Sequence, residues 1–120
     1  MIVYVSGKIT GLPDLNKPAF ASACRRLKEA GYSPVNPHDI CQDIPADAPH
    51  HVFMERCLSV LPECDAIVVL PGSLDSAGTK IEHAFCKAHH IPLISIDWLE
   101  TVRPYKALKI LLSRELRRAV

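Results

Sequence analysis

Five consecutive apolar residues, Ala66-Ile67-Val68-Val69-Leu70, stand between Asp65 and the turn pair Pro71-Gly72. A strand with one wet face would alternate polar and apolar residues, so a short unbroken run of this kind predicts a strand covered on both faces. That arrangement belongs to parallel sheets with helices on each side. The rest of the chain keeps the same rhythm. Met1 to Val5 is a β-branched run that enters the loop Ser6-Gly7-Lys8-Ile9-Thr10-Gly11-Leu12-Pro13-Asp14. From Pro18, residues Phe20, Ala23, Cys24, Leu27 and Ala30 recur at helical spacing up to Gly31, which suits a left-handed stop.

Tyr32 to Asn36 reads as a second strand placed at an edge by its proline, and Pro37 to Pro49 as a proline-rich loop. A second helix is predicted from His50 to Leu61, with Met54, Cys57, Leu58 and Leu61 on one face. After Pro71-Gly72, Asp75-Ser76-Ala77-Gly78-Thr79 opens a helix on which Ile81, Ala84, Phe85 and Ala88 form the core face, with Glu82 at its edge. Ile91 to Ile96 gives a fourth strand. Residues 104–118 form a C-terminal amphipathic helix with Leu108, Leu111, Leu112 and Leu116 on one stripe. The expectation is a single α/β domain over residues 1–120, a flavodoxin-like (Rossmann-like) three-layer fold whose parallel sheet has 4–5 strands in the order 2-1-3-4.

Composition narrows the functional classes. With a formal charge of +1 and 22% charged residues, nothing suggests a nucleic-acid polymer or membrane surface as partner. No apolar run reaches the about eighteen residues of a membrane span, and Met1 to Val5 lacks the form of a signal peptide, so a cytoplasmic location is expected. The five cysteines are an odd set without a C-x-x-C pair and are expected as free thiols. Among six histidines, the pairs His50-His51 and His89-His90 do not complete a tetrahedral ligand set, so neither a metal nor another cofactor is expected.

In a parallel sheet of this order, ligands bind beyond the carboxyl ends of the strands where the order reverses. That crevice would bring the Ser6 to Gly11 loop against the Pro71 to Gly78 loop. The first loop carries neither a Walker nor a dinucleotide fingerprint, which removes the usual support for ATP or NAD. Ser6, Gly7 and Lys8 can still present N–H groups and an ammonium to an anion, and Ser76 with Gly78 can do so at a helix N-terminus. Glu82 adds a carboxylate beside them, a candidate nucleophile.

Three segments together resemble the nucleoside 2-deoxyribosyltransferase superfamily: Tyr4-Val5-Ser6-Gly7-Lys8-Ile9-Thr10-Gly11, Cys64-Asp65-Ala66-Ile67-Val68-Val69, and Ser76-Ala77-Gly78-Thr79-Lys80-Ile81-Glu82-His83-Ala84. With Asn36-Pro37 and Leu70-Pro71-Gly72, the pattern is most similar to a small uncharacterised bacterial and phage branch. The resemblance implies cleavage of an N-glycosidic bond in a nucleoside or nucleoside 5′-monophosphate. Glu82 would attack C1′, Tyr4 would hydrogen-bond its carboxylate, and Ser6, Gly7, Lys8, Ser76 and Gly78 would bind substrate. The sugar would pass to water or to a second base, making the protein a glycosidase or a deoxyribosyltransferase. The chain departs from the superfamily pattern at Cys57, where an aspartate is usual, from closer relatives at Ser73, where tryptophan is frequent, and from nucleotide-hydrolysing relatives at Thr10, where an arginine helps bind phosphate. The alternative is a non-catalytic nucleotide-binding module using the same crevice. The resemblance implies a possible homo-oligomer, and the leucine stripe suits a partner or the chain's own sheet equally.

Overall fold

The computed structural model describes the backbone of residues 1–119 and the side chains of residues 1–113. At its centre is β1 (Ile2–Ser6), flanked in parallel by β2 (Ser33–Val35) and β3 (Ala66–Val69), so the strand order is β2-β1-β3. Tyr4 aligns with Val35 on one side and Ile67 on the other. Because successive side chains of a strand point to opposite faces, β1 divides its residues between two cores. Val3 and Val5 join Phe20, Ala23, Leu27 and Leu99, whereas Tyr4 joins Cys57, Leu61, Ile67 and Cys86. The result is three layers. Helix α1 (Lys17–Glu29) and α5 (Ile96–Ala119) cover the first face; α3 (His50–Val60) and α4 (Ala77–Ala88) cover the second.

The parallel α/β character is as expected, but the sheet has three strands rather than 4–5. The predicted fourth strand is reduced to one bridge, Ile67 with Leu93, in which the Ile67 amide donates to Pro92 O at 3.0 Å and the Ile94 amide to Ile67 O at 2.9 Å. Pro92 has no N–H to extend the ladder, and the chain is already helical at Ile96. Within the predicted loop 37–49 a short helix, α2 (Pro37–Ile40), forms because the Asn36 side chain accepts from the His38 amide at 3.0 Å.

The C-terminal helix differs more. It begins at Ile96 and breaks at Arg103, whose φ of 64° and ψ of 160° are not helical, just before Pro104. Proline disfavours helical geometry in the residue before it, so the helix predicted from Pro104 is the second limb of a longer, broken one. On that limb Ala107 and Leu111 are buried, while Leu108 and Leu112 are exposed beside a groove of about 190 Å³ shared with Pro62, Asp65 and His90. Arg114, Leu116, Arg117 and Arg118 lie outside the described side chains. Among the described residues no helix is long and apolar enough to cross a membrane.

Arg26 ties the first face together, with its guanidinium 2.8 Å from Asp97 and bonded to both oxygens of Glu100. Such exposed pairs contribute at most about 1 kcal/mol; the apolar packing beneath them matters more. Gly31 ends α1 with φ of 97°, and an added Cβ there would sit 3.3 Å from Pro104 Cγ. Gly31→Ala should therefore cost about 1–2 kcal/mol, the penalty for a side chain in left-handed backbone, readable as a lower urea midpoint at unchanged slope.

Candidate functional site

The site begins with the alternation of β1. Tyr4 and Ser6 are two residues apart and so face the same side of the sheet, the side covered by α4. There the Tyr4 hydroxyl donates to Glu82 Oε2, and the Ser6 hydroxyl donates to Glu82 Oε1 at 2.7 Å. Both carboxylate oxygens are thus held by strand residues, and Glu82 is only 5% exposed.

This geometry corrects the expected orientation of α4. The buried positions of the helix are Thr79, Glu82 and Cys86, whereas Ile81 is 44% exposed and Ala84 and Ala88 face outward. The helix turns its carboxylate inward and leaves its most apolar residue in solvent. Two strong donors on β1 account for that choice, because a buried carboxyl needs partners for both oxygens. Thr79, one turn before Glu82, completes the cluster with its Oγ1 3.4 Å from Ser6 Oγ.

Burial raises the pKa of Glu82 above the ordinary carboxylate value, while the bonds from Tyr4 and Ser6 pull in the opposite direction. The Tyr4 phenol is also shifted upward, first by burial and then by the neighbouring Glu82 charge. It therefore stays protonated and keeps donating. Cys57 lies under Tyr4 in the same core, and burial pushes its thiol up to about 12. At neutral pH no negative charge stands at that position.

The expected anion-binding residues surround this cluster unevenly. Ser6 spends its hydroxyl proton on Glu82 and does not offer it to the crevice. The Lys8 amide donates to Ser73 Oγ at 2.8 Å, and the Lys8 side chain is exposed. Gly7 packs so closely on Leu70 that an added Cβ would lie 2.6 Å from its Cδ1. Ser76 caps α4 through its carbonyl, which accepts from the Lys80 amide at 2.9 Å, and its side chain makes no capping bond. Gly78 in the first turn faces α3, where an added Cβ would be 3.6 Å from Met54 Sδ and 3.8 Å from His50 Nε2. The two loops do converge, as the strand order requires.

Thr79 is the site neighbour that the sequence did not single out, and the bond from the Lys8 amide to Ser73 was likewise not legible there. Ser73 is fully buried as the bolt between the two loops. The spacing of Thr79 three residues before Glu82 was the available sign that both share a helix face. Beyond Gly11 the first loop folds into a turn in which Asp14, Leu15 and Asn16 have φ of 51°, 52° and 59°. Three successive left-handed non-glycine residues are costly; Asn16 Nδ2 braces them by donating to Lys8 O at 2.9 Å.

Residues 1–95 match the sequence model of a domain of unknown function, DUF4406. The chain belongs to the DUF4406 family. The match ends where the bridge strand gives way to α5, so the DUF4406 segment contains the whole Tyr4–Ser6–Glu82 cluster. A comparison with curated protein sequences gives no match. Among solved structures, the fold is similar to that of a CMP N-glycosidase from Clostridium botulinum, BcmB, with a TM-score of 0.53 and 19% identity over 79% of this chain and 67% of that one. At that identity the likeness is one of fold.

Two outcomes test the geometry. Gly7→Ala should cost about 1–3 kcal/mol by overpacking against Leu70, measured by urea denaturation. Glu82 has a raised folded-state pKa, so its contribution to stability is full below the unfolded value of about 4.3 and is lost as pH rises through the folded value. Glu82→Gln removes this titration. Its melting temperature should therefore gain on the wild type as pH rises across that window.

Proposed function

We propose that this DUF4406 protein is an N-glycosidase or deoxyribosyltransferase acting on a nucleoside or nucleoside 5′-monophosphate, with Glu82 as nucleophile at C1′. The observation that carries the reading is the buried carboxylate with Tyr4 and Ser6 on its two oxygens, placed at the carboxyl end of β1 beside two converging loops. The fold shared with a CMP N-glycosidase supports it. A glycosidic carbon reacts through an oxocarbenium-like transition state, which a fixed carboxylate stabilises and can capture. Loss of the base leaves a glycosyl ester on Glu82. Water or a second base then attacks C1′ and returns the carboxylate.

Each neighbour has a place in that cycle. Tyr4 orients the carboxylate and, by donating to it, offsets the effect of burial so that the ionised form is available. Ser6 holds the second oxygen. Ser76 and Gly78, with the exposed Lys8 ammonium, are assigned to the substrate's anionic end. The neutral Cys57, where the superfamily usually has an aspartate, favours the second reading, a nucleotide-binding module without turnover.

Chromatographic measurement of free base from deoxyribonucleosides, ribonucleosides and their 5′-monophosphates distinguishes the two. Catalysis predicts release that falls about 10³-fold or more in Glu82→Ala. Retention of a nucleotide with no base released by the wild type would establish the binding module instead. The acid limb of the rate profile should lie above about 4.3, since the nucleophile must be ionised. Tyr4→Phe removes a bond to a charged group worth about 1.5–3 kcal/mol. It should slow release about 10- to 100-fold and move the acid limb to higher pH.

A further inference from the structure

The thiols of Cys41 and Cys57 are 3.8 Å apart, and Cys57 lies beneath the phenol that holds the Glu82 carboxylate. Cys41 follows α2 and is half-buried, whereas Cys57 is buried on α3. Their approach is built by the residues beside them. Arg56 donates to Ile40 O at 2.9 Å and to the two Asp43 oxygens at 2.7 and 3.1 Å, so the neighbours of one cysteine grip the neighbours of the other. A disulfide needs its sulfurs about 2.05 Å apart. The remaining approach falls to side-chain rotation and to the irregular segment 41–49, which has no helix or strand to resist it.

Among the described residues the Cys41 thiol approaches one other thiol, that of Cys57. Cys24 packs with the core on the opposite face of the sheet. Oxidation would also reach the carboxylate. Cys57 packs in the same core as Tyr4, close enough for the Glu82 charge to raise its thiol pKa further. A disulfide would draw that sulfur toward Cys41, away from the phenol that holds Glu82.

We propose that Cys41 and Cys57 form a reversible dithiol–disulfide couple that sets the state of the Glu82 site, with a low-molecular-weight disulfide as oxidant. The Cys41 thiolate attacks one sulfur of the small disulfide, forming a mixed disulfide and expelling one small thiolate. The Cys57 thiolate then attacks Cys41 Sγ, closing the protein disulfide and expelling the second. The two protein thiols lose two electrons and their protons pass to solvent or to the departing thiolates; the small disulfide is reduced to two thiols. Burial raises the pKa of both protein thiols, so the reaction quickens with rising pH. Its chemistry is independent of the glycosidase reading; only its effect on turnover rests on that reading.

The test treats the whole protein with glutathione disulfide at about pH 8, where more thiolate is present, then alkylates the remaining thiols and maps peptides by mass spectrometry. In parallel, the titration of Glu82 is followed by carbon NMR in protein labelled at glutamate carboxyls, oxidised and reduced. The expected result is a Cys41–Cys57 linked peptide that dithiothreitol reverses, with a Glu82 titration midpoint that differs between the two states. Cys41→Ser, if folded, should show neither change; if it is not, the oxidised and reduced wild type still make the comparison. A mixed disulfide on Cys41 that never passes to Cys57, no linkage at all, or a linked pair with an unmoved Glu82 midpoint would each overturn the proposal. Because neither readout needs turnover, absence of base release would count against the glycosidase reading alone.

Discussion

A carboxylate held inside the protein by two hydroxyls from one strand is the interaction on which the rest of this structure turns. Removing a carboxylate from water is expensive unless its oxygens are bonded, and Tyr4 and Ser6 meet that demand for Glu82 from the central strand. The same two bonds fix the rotation of α4 about its axis and so decide which residues it buries. Thr79 and Cys86 go inward with Glu82; Ile81 goes out. Packing of apolar surface alone would have chosen otherwise, since burying an isoleucine is worth about 1.5–3 kcal/mol.

The scaffold around this cluster is rigid where the cluster needs it. Strand β1 is paired on both sides and buried on both faces, so Tyr4 and Ser6 have little room to move. The two loops at its carboxyl end are bolted to each other through Lys8 and Ser73, and the left-handed turn beyond is braced by Asn16. Strained backbone persists only where the surroundings over-determine it. Here the strain lies beside the loop that carries Lys8.

Much of this architecture was legible in the residues. The apolar run at 66–70, the helical spacing from Phe20 to Ala30 and the glycine at 31 led to strands and helices within a few residues of those observed. The sheet was overcounted because the apolar residues from Ile91 to Ile96 outweigh the strand-breaking signal of Pro92, and because nothing local shows that Ile96 already begins a helix. The Tyr4–Glu82 contact was within reach through the family resemblance. Ser6 as a partner of the carboxylate was not, because a serine beside a glycine in a loop reads equally well as a phosphate ligand.

What the sequence determined by itself was periodic and local: the alternation on β1 that sends Tyr4 and Ser6 to one face, the parallel order of elements, and the positions where the chain must turn. Tertiary structure alone decided which face of α4 is buried, that Cys41 meets Cys57 across sixteen positions of chain, and that Ser73 joins the two loops. The physical reason is that hydrophobic periodicity reports an average preference for burial, whereas these contacts depend on partners distant in sequence that supply hydrogen bonds at particular points in space. A buried carboxyl outweighs an apolar stripe only when both of its donors are already in place.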